Sequence, residues 1–220
     1  MFQDRTNAGE RLATELRQRT FDSPVVLALP RGGVPVALPV AQALAAPLDL
    51  LLVRKLGLPG HAEYAAGAVV EDAATVFNDD VLRAHGLTRA DFADAIAEKR
   101  RENAARRAQY FIGREPVPLD GQDAIVVDDG IATGATVRAA LRGLKSREPA
   151  RVILAVPVAP ADTLEALRPL VDEVICLATP HPFYAVGVHY ADFPQVRDDE
   201  VAAMLRGTNG QDNEEGDSPC

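Results

Sequence analysis

Tryptophan is missing from this chain. Cysteine and methionine occur twice each and histidine four times in 220 residues. Two cysteines, Cys176 and Cys220, cannot staple a small secreted scaffold and supply no thiolate set for a structural zinc ion. Long apolar runs are also missing. One long uncharged stretch, Gly32–Leu48, is broken by Pro35, Pro39 and Pro47 and is shorter than the roughly 20 residues a membrane helix needs. Positive charge is in deficit. The net charge is −9, and Asp212, Glu214, Glu215 and Asp217 in the last fourteen residues account for four of these charges, leaving −5 for residues 1–206. An acidic body does not suit broad contact with nucleic acid or an anionic membrane. Neither is expected as a partner, and the polar start Met1–Arg5 carries no signal-like apolar region, which points to the cytoplasm.

Ordinary globular material is present: 47% apolar and 25% charged residues, enough for a self-supporting core. Short apolar runs alternate with helical patterns. Strands are expected at Pro24–Pro30, Leu48–Val53, Ala124–Val127, Val152–Val156 and Glu173–Leu177. Helices are expected at Val34–Ala46, Ala135–Lys145 and Ala161–Leu167. This alternation predicts an α/β fold, a doubly wound and mostly parallel sheet of about five strands. One domain is expected over residues 1–206. Residues 66–113 break the alternation and read as an inserted arm: strands Ala66–Val70 and Thr75–Phe77, a short helix Asp79–His85, and a long helix capped at Thr88 and running to Tyr110. That helix carries Arg100, Arg101, Arg106 and Arg107. Glu98 and Glu102 can solvate them as partners, or one arginine can reach a bound phosphate. Residues 207–220 read as a disordered acidic tail.

Chemistry concentrates in Ala124–Thr136, which runs AIVVDDGIATGAT. A buried strand ends on two carboxylates, and a small-residue loop leads directly into a helix. Backbone amides of such a loop can close around a phosphate, helped by the free amides and positive dipole end of the helix. Thr133 and Thr136 add hydroxyls. Ionised Asp128 and Asp129 suit a ribose diol, from whose hydroxyls they can accept hydrogen bonds. A plain strand-to-helix turn accounts for Thr133 and Gly134 but leaves two adjacent carboxylates unexplained.

This stretch resembles the signature of the type I phosphoribosyltransferase family, except that Gly130 stands where a larger apolar residue is usual. The arrangement PRGG, RKL, GAV, DDGIATGAT and YADFPQ, from about Ala8 to Leu205, also resembles a group of bacterial proteins described as phosphoribosyltransferases of unassigned acceptor. The resemblance implies that 5-phosphoribosyl-1-pyrophosphate is the donor and a nucleobase or other amine the acceptor. It implies ribose binding by Asp128 and Asp129. It implies 5-phosphate binding by Ala132, Thr133, Gly134, Ala135 and Thr136. The loop of Arg31, Gly32 and Gly33 takes the place of the pyrophosphate loop, with a non-proline cis peptide before Arg31. Lys55 and Arg54, followed by a loop at Gly57–Gly60 with His61 and Glu63, stand where a closing loop meets the pyrophosphate. Residues 179–196 correspond to an acceptor hood, with Phe183, Tyr184, Tyr190 and Phe193 as stacking candidates. Mg²⁺ is implied as a bridge between pyrophosphate and ribose, reached by Asp128 and Asp129 through water. Relatives acting on hypoxanthine or guanine carry an aspartate where this chain has Ala132, so 6-oxopurines are expected to be poor acceptors. A regulator that senses the donor without transfer remains open, as does a hydrolase using Asp128 as nucleophile. Monomer and homodimer are both left open.

Overall fold

The computed structural model describes residues 1–58, 61–111 and 115–206, with the backbone alone for residues 61–65. The elements follow in the order α1 (Arg5–Leu16), β1 (Pro24–Ala28), α2 (Gly33–Leu44), β2 (Leu48–Leu50), β3 (Val53–Leu58), β4 (His61–Val70), β5 (Val76–Phe77), α3 (Asp79–Ala84), α4 (Ala93–Tyr110), β6 (Asp123–Val127), α5 (Ala135–Leu144), β7 (Arg151–Val158), α6 (Ala161–Leu167), β8 (Glu173–Ala178) and α7 (Asp198–Arg206).

Five strands form a parallel sheet in the order β2-β1-β6-β7-β8. The period-two alternation of a strand sorts its side chains to opposite faces. Val26, Ala28, Ile125, Val127, Ile153 and Ala155 enter one buried cluster with α1, α2 and α7. Val25, Leu27, Ala124, Val126, Val152, Leu154 and Val156 enter another with α5 and α6. Both faces are therefore covered, which is why these strands read as continuous apolar runs. The strand order reverses between β1 and β6. Such a switch point opens a crevice at the carboxyl ends of the strands.

Helix α1 lies outside the elements expected from the sequence. Its signal is short: Ala8, Leu12 and Leu16 on one buried stripe, with Asp4 capping the Asn7 amide at 2.8 Å. Helix α7, with Val201, Ala202 and Leu205 buried, is a second addition. The expected run Leu48–Val53 divides. β2 is three residues long, and Val53 begins a second, antiparallel sheet in the order β3-β4-β5. Strand pairing extends through Gly57 and Leu58, so the expected loop there is strand in its first half; Pro59 and Gly60 lie outside the described residues. The tail from residue 207 also lies outside them. Among the described residues no helix is long and apolar enough to cross a membrane.

A buried ionic knot fixes α4 against both sheets. Arg107 donates to Asp49 at 2.8 Å and to Glu71 at 3.1 Å. Asp49 is wholly buried and also accepts the backbone amides of Leu50 at 2.7 Å and Val117 at 2.8 Å. One cation thus serves two carboxylates, and burial pushes Glu71 up to about 7 from 4.5 despite the opposing Arg107 charge. A carboxyl whose folded value is raised gains protons on folding, so its stabilising share is complete below about 4.5 and lost as pH rises through about 7. Glu71→Gln is expected to flatten the decline in stability across that window, measured by urea unfolding at several pH values. An unchanged slope contradicts this assignment.

Candidate active site

The crevice between β1 and β6 holds the two loops singled out from the sequence. Parallel pairing of Ala28 with Val127 brings Leu29–Gly33 and Asp128–Thr136 out side by side, tied by Leu29 N–H donating to the Val127 carbonyl at 2.9 Å. The peptide bond between Pro30 and Arg31 is cis. Gly32 lies directly on the acid pair: a Cβ there would overlap the Asp129 carboxylate. Only glycine permits that approach.

Asp128 and Asp129 are both half-buried. Desolvation raises both above the ordinary carboxylate range. The neighbouring Asp129 charge raises Asp128 further, while Arg5 opposes the rise at Asp129. Arg5 Nε meets Asp129 Oδ2 at 2.7 Å, and its Nη1 donates to the Pro194 carbonyl at 2.7 Å. The same guanidinium lies 3.6 Å from the centre of the Phe193 ring. Arg5 thus works against burial in favour of the ionised form of Asp129, while the adjacent Asp129 charge adds to the burial that favours the protonated form of Asp128.

Beyond the acid pair, Ala132, Thr133, Ala135 and Thr136 are exposed, while Gly134 is buried in a left-handed conformation as the N-cap of α5. The Thr163 hydroxyl donates to the Ala132 carbonyl at 2.9 Å. This leaves an open loop whose amides precede a ten-residue helix, suited to an oxyanion. Gly130 departs from the usual larger residue for a local reason: a Cβ there would lie 2.6 Å from Val186 Cγ1. The hood's valine fills that volume.

Residues 179–196 sit over the carboxyl end of the sheet together with the N-terminus, which sequence reasoning did not connect to the site. Phe2 N–H donates to the His189 carbonyl, Ala191 N–H to the Phe2 carbonyl and Asp192 N–H to the Gln3 carbonyl, each at 2.8 Å. Tyr190 is 5% exposed. Its ring packs between Phe2 at 5.3 Å and Phe193 at 4.8 Å, and its hydroxyl donates to the Asp129 carbonyl. Tyr190 thus lies beneath the cleft. Tyr184 is 81% exposed, and Phe183 stacks on His189 at 5.2 Å. Two cavities open here. One of about 470 Å³ lies between Arg5, Arg31, Gly32, Asp129 and the hood. Another of about 800 Å³ runs from Ala132 and Thr133 to Phe183 and Tyr184.

Arg31 faces Asp198 at 3.9 Å. Arg54 approaches Glu102 at 3.6 Å, whereas Lys55 on β3 is exposed. The side chains of His61 and Glu63 lie outside the described residues.

The phosphoribosyl transferase domain family model matches residues 3–192. The Mycobacterium tuberculosis H37Rv protein named "Putative phosphoribosyl transferase Rv0571c" is 50% identical over 206 residues, covering 93% of this chain and 46% of its own length. MT0597 of strain CDC 1551, given the same description, matches equally. The chain spans about half the length of the curated relatives it matches. The crystal structure of TT1426 from Thermus thermophilus is similar at 41% identity and a TM-score of 0.81, covering 93% of this chain and 97% of that one.

Gly32→Ala is expected to push the Asp129 carboxylate from its place and to cost about 1–3 kcal/mol, as overpacking does, read by thermal unfolding. A melting temperature equal to that of the parent protein contradicts the close packing of these loops.

Proposed function

The chain belongs to the phosphoribosyl transferase domain family, and we propose that it binds 5-phosphoribosyl-1-pyrophosphate and transfers the phosphoribosyl group to a nitrogen of a nucleobase or other amine. The observation that carries this reading is the adjacency of an acidic pair, one member pinned by Arg5, to an open amide-rich loop at a helix start. Asp128 and Asp129 take the ribose 2′- and 3′-hydroxyls. Ala132, Thr133, Gly134, Ala135 and Thr136 take the 5-phosphate. Arg31, Gly32 and Gly33, with Arg54 and Lys55, face the pyrophosphate. The acceptor approaches from the hood side, past Phe183 and Tyr184.

The acceptor nitrogen forms a bond to ribose C1 as the bond from C1 to the pyrophosphate oxygen breaks, and pyrophosphate leaves with the electron pair. Positive charge develops at C1 and the ring oxygen. The protein's contribution is position and electrostatics: the ionised Asp129 carboxylate holds the ring through its diol and lies near that charge. Carboxylate oxygens are hard ligands of the kind Mg²⁺ takes. Among the described residues no three acidic, histidine or cysteine side chains converge; Asp128 and Asp129 would be the residues to hold Mg²⁺, together with oxygens of the bound donor. When bound, Mg²⁺ neutralises charge on the leaving pyrophosphate. Ala132 is exposed at the loop's start and offers no side-chain proton acceptor. Purines that need proton exchange at the ring are accordingly disfavoured.

Donor with Mg²⁺ is expected to raise stability by about 2.7 kcal/mol at 100 times its Kd, and Asp128→Asn with Asp129→Asn to abolish the gain. No thermal shift at millimolar donor contradicts the proposal. Steady-state rates with hypoxanthine, guanine, adenine, orotate and uracil test the acceptor. The 6-oxopurines are expected to be the poorer substrates, and the highest kcat/KM with hypoxanthine or guanine overturns the argument from Ala132. Donor binding with no pyrophosphate release for any acceptor would mark a sensor instead.

A further inference from the structure

Helix α4 contributes more than its buried ionic knot. Arg107 is committed to Asp49 and Glu71. Its chain neighbour, half-buried Arg106, forms no ion pair among the described residues. It borders a small pocket of about 60 Å³ together with Pro30, Arg54, Asn103 and Thr136, the remaining lining being apolar. Asn103 is 2% exposed, and neither its Nδ2 nor its Oδ1 has a partner. Buried amides are almost always hydrogen-bonded in folded proteins, so an unpaired one marks a group awaiting a partner.

The polar residues of the pocket's otherwise apolar lining are two arginines, the unpaired Asn103 amide and a threonine, with no carboxylate among them. Glu102, which approaches Arg54 at 3.6 Å, is shared with Lys99 at 2.6 Å and does not line it. Convergent donors around a small volume recognise a tetrahedral oxyanion, and arginine pairs with phosphate through paired N–H groups. The neighbouring groove of about 550 Å³ shares Asn103 but carries Glu71 and Asp72, which would repel an anion.

We propose that Arg106 and Asn103 of the arm helix, with Arg54, bind the pyrophosphate end of the donor. This rests on the reading that the chain binds that donor. Pyrophosphate fits better than the 5-phosphate because Pro30 and Arg54 border the pocket, whereas of the loop Ala132–Thr136 only Thr136 does. The arm, outside the five-stranded sheet, thereby gains a direct role in holding the leaving group.

Calorimetric titration of the full chain with Mg²⁺-pyrophosphate and, separately, with ribose 5-phosphate tests this. Arg106→Ala is expected to weaken pyrophosphate at least about tenfold and Asn103→Ala about fivefold, as loss of charge-assisted and neutral hydrogen bonds does. Ribose 5-phosphate should stay within about twofold, and Arg106→Lys should recover part of the loss. If the variants bind pyrophosphate like the parent, this inference is wrong and the donor reading stands. Equal weakening of both ligands in Arg106→Lys as in Arg106→Ala also overturns it, since that is damage to the fold. A parent protein that takes neither ligand removes the donor reading and this inference with it.

Discussion

Two carboxylates at the end of a buried strand repel each other and resist ionisation, and the structure around Asp128 and Asp129 is organised to offset that cost. Arg5 reaches Asp129 from α1 at 2.7 Å while holding the hood through Pro194 and Phe193. Tyr190 donates to the Asp129 carbonyl from the other side. Gly32 lets the neighbouring loop close over the same carboxylate. Remove the guanidinium, and burial favours protonation of both acids. The N-terminus, the hood and the glycine loop are thus joined through one ion pair.

The parallel sheet places these pieces. Its order reverses between β1 and β6, so the two glycine-bearing loops that follow these strands flank a single crevice. Alternate residues of the same strands serve the two helical layers. The second sheet and α4 are anchored separately, by Arg107 between Asp49 and Glu71. That anchorage sets Arg54, Asn103 and Arg106 near Pro30, beside the loop that the hood faces from elsewhere in the crevice.

Much of this is legible in the sequence. Ala124–Thr136 is a local signal: an apolar strand, an acidic pair and a small-residue loop identify their own chemistry at short range. Short continuous apolar runs locate the five parallel strands for the same reason. What escapes is long-range. Nothing in the local pattern links Arg5 to Asp129, 124 positions away, or Phe2 to Tyr190. Tyr190 reads as a stacking surface because its aromatic character is visible in sequence, while the hydrogen bond to the Asp129 carbonyl is not. Helix α1 has a thin apolar stripe of Ala8, Leu12 and Leu16, and it is buried because α2 lies against it. Among four arginines on α4, spacing alone could not separate Arg107, locked in the interior, from Arg106, which borders the pocket.

The account depends on the acid pair and the small-residue loop acting together on one ligand. A crystal structure with 5-phosphoribosyl-1-pyrophosphate and Mg²⁺ tests that most directly. It should place the ribose hydroxyls within hydrogen-bonding distance of Asp128 and Asp129 and the 5-phosphate on the amides of residues 132–136. A donor bound elsewhere, or one whose ribose does not touch either carboxylate, would contradict it.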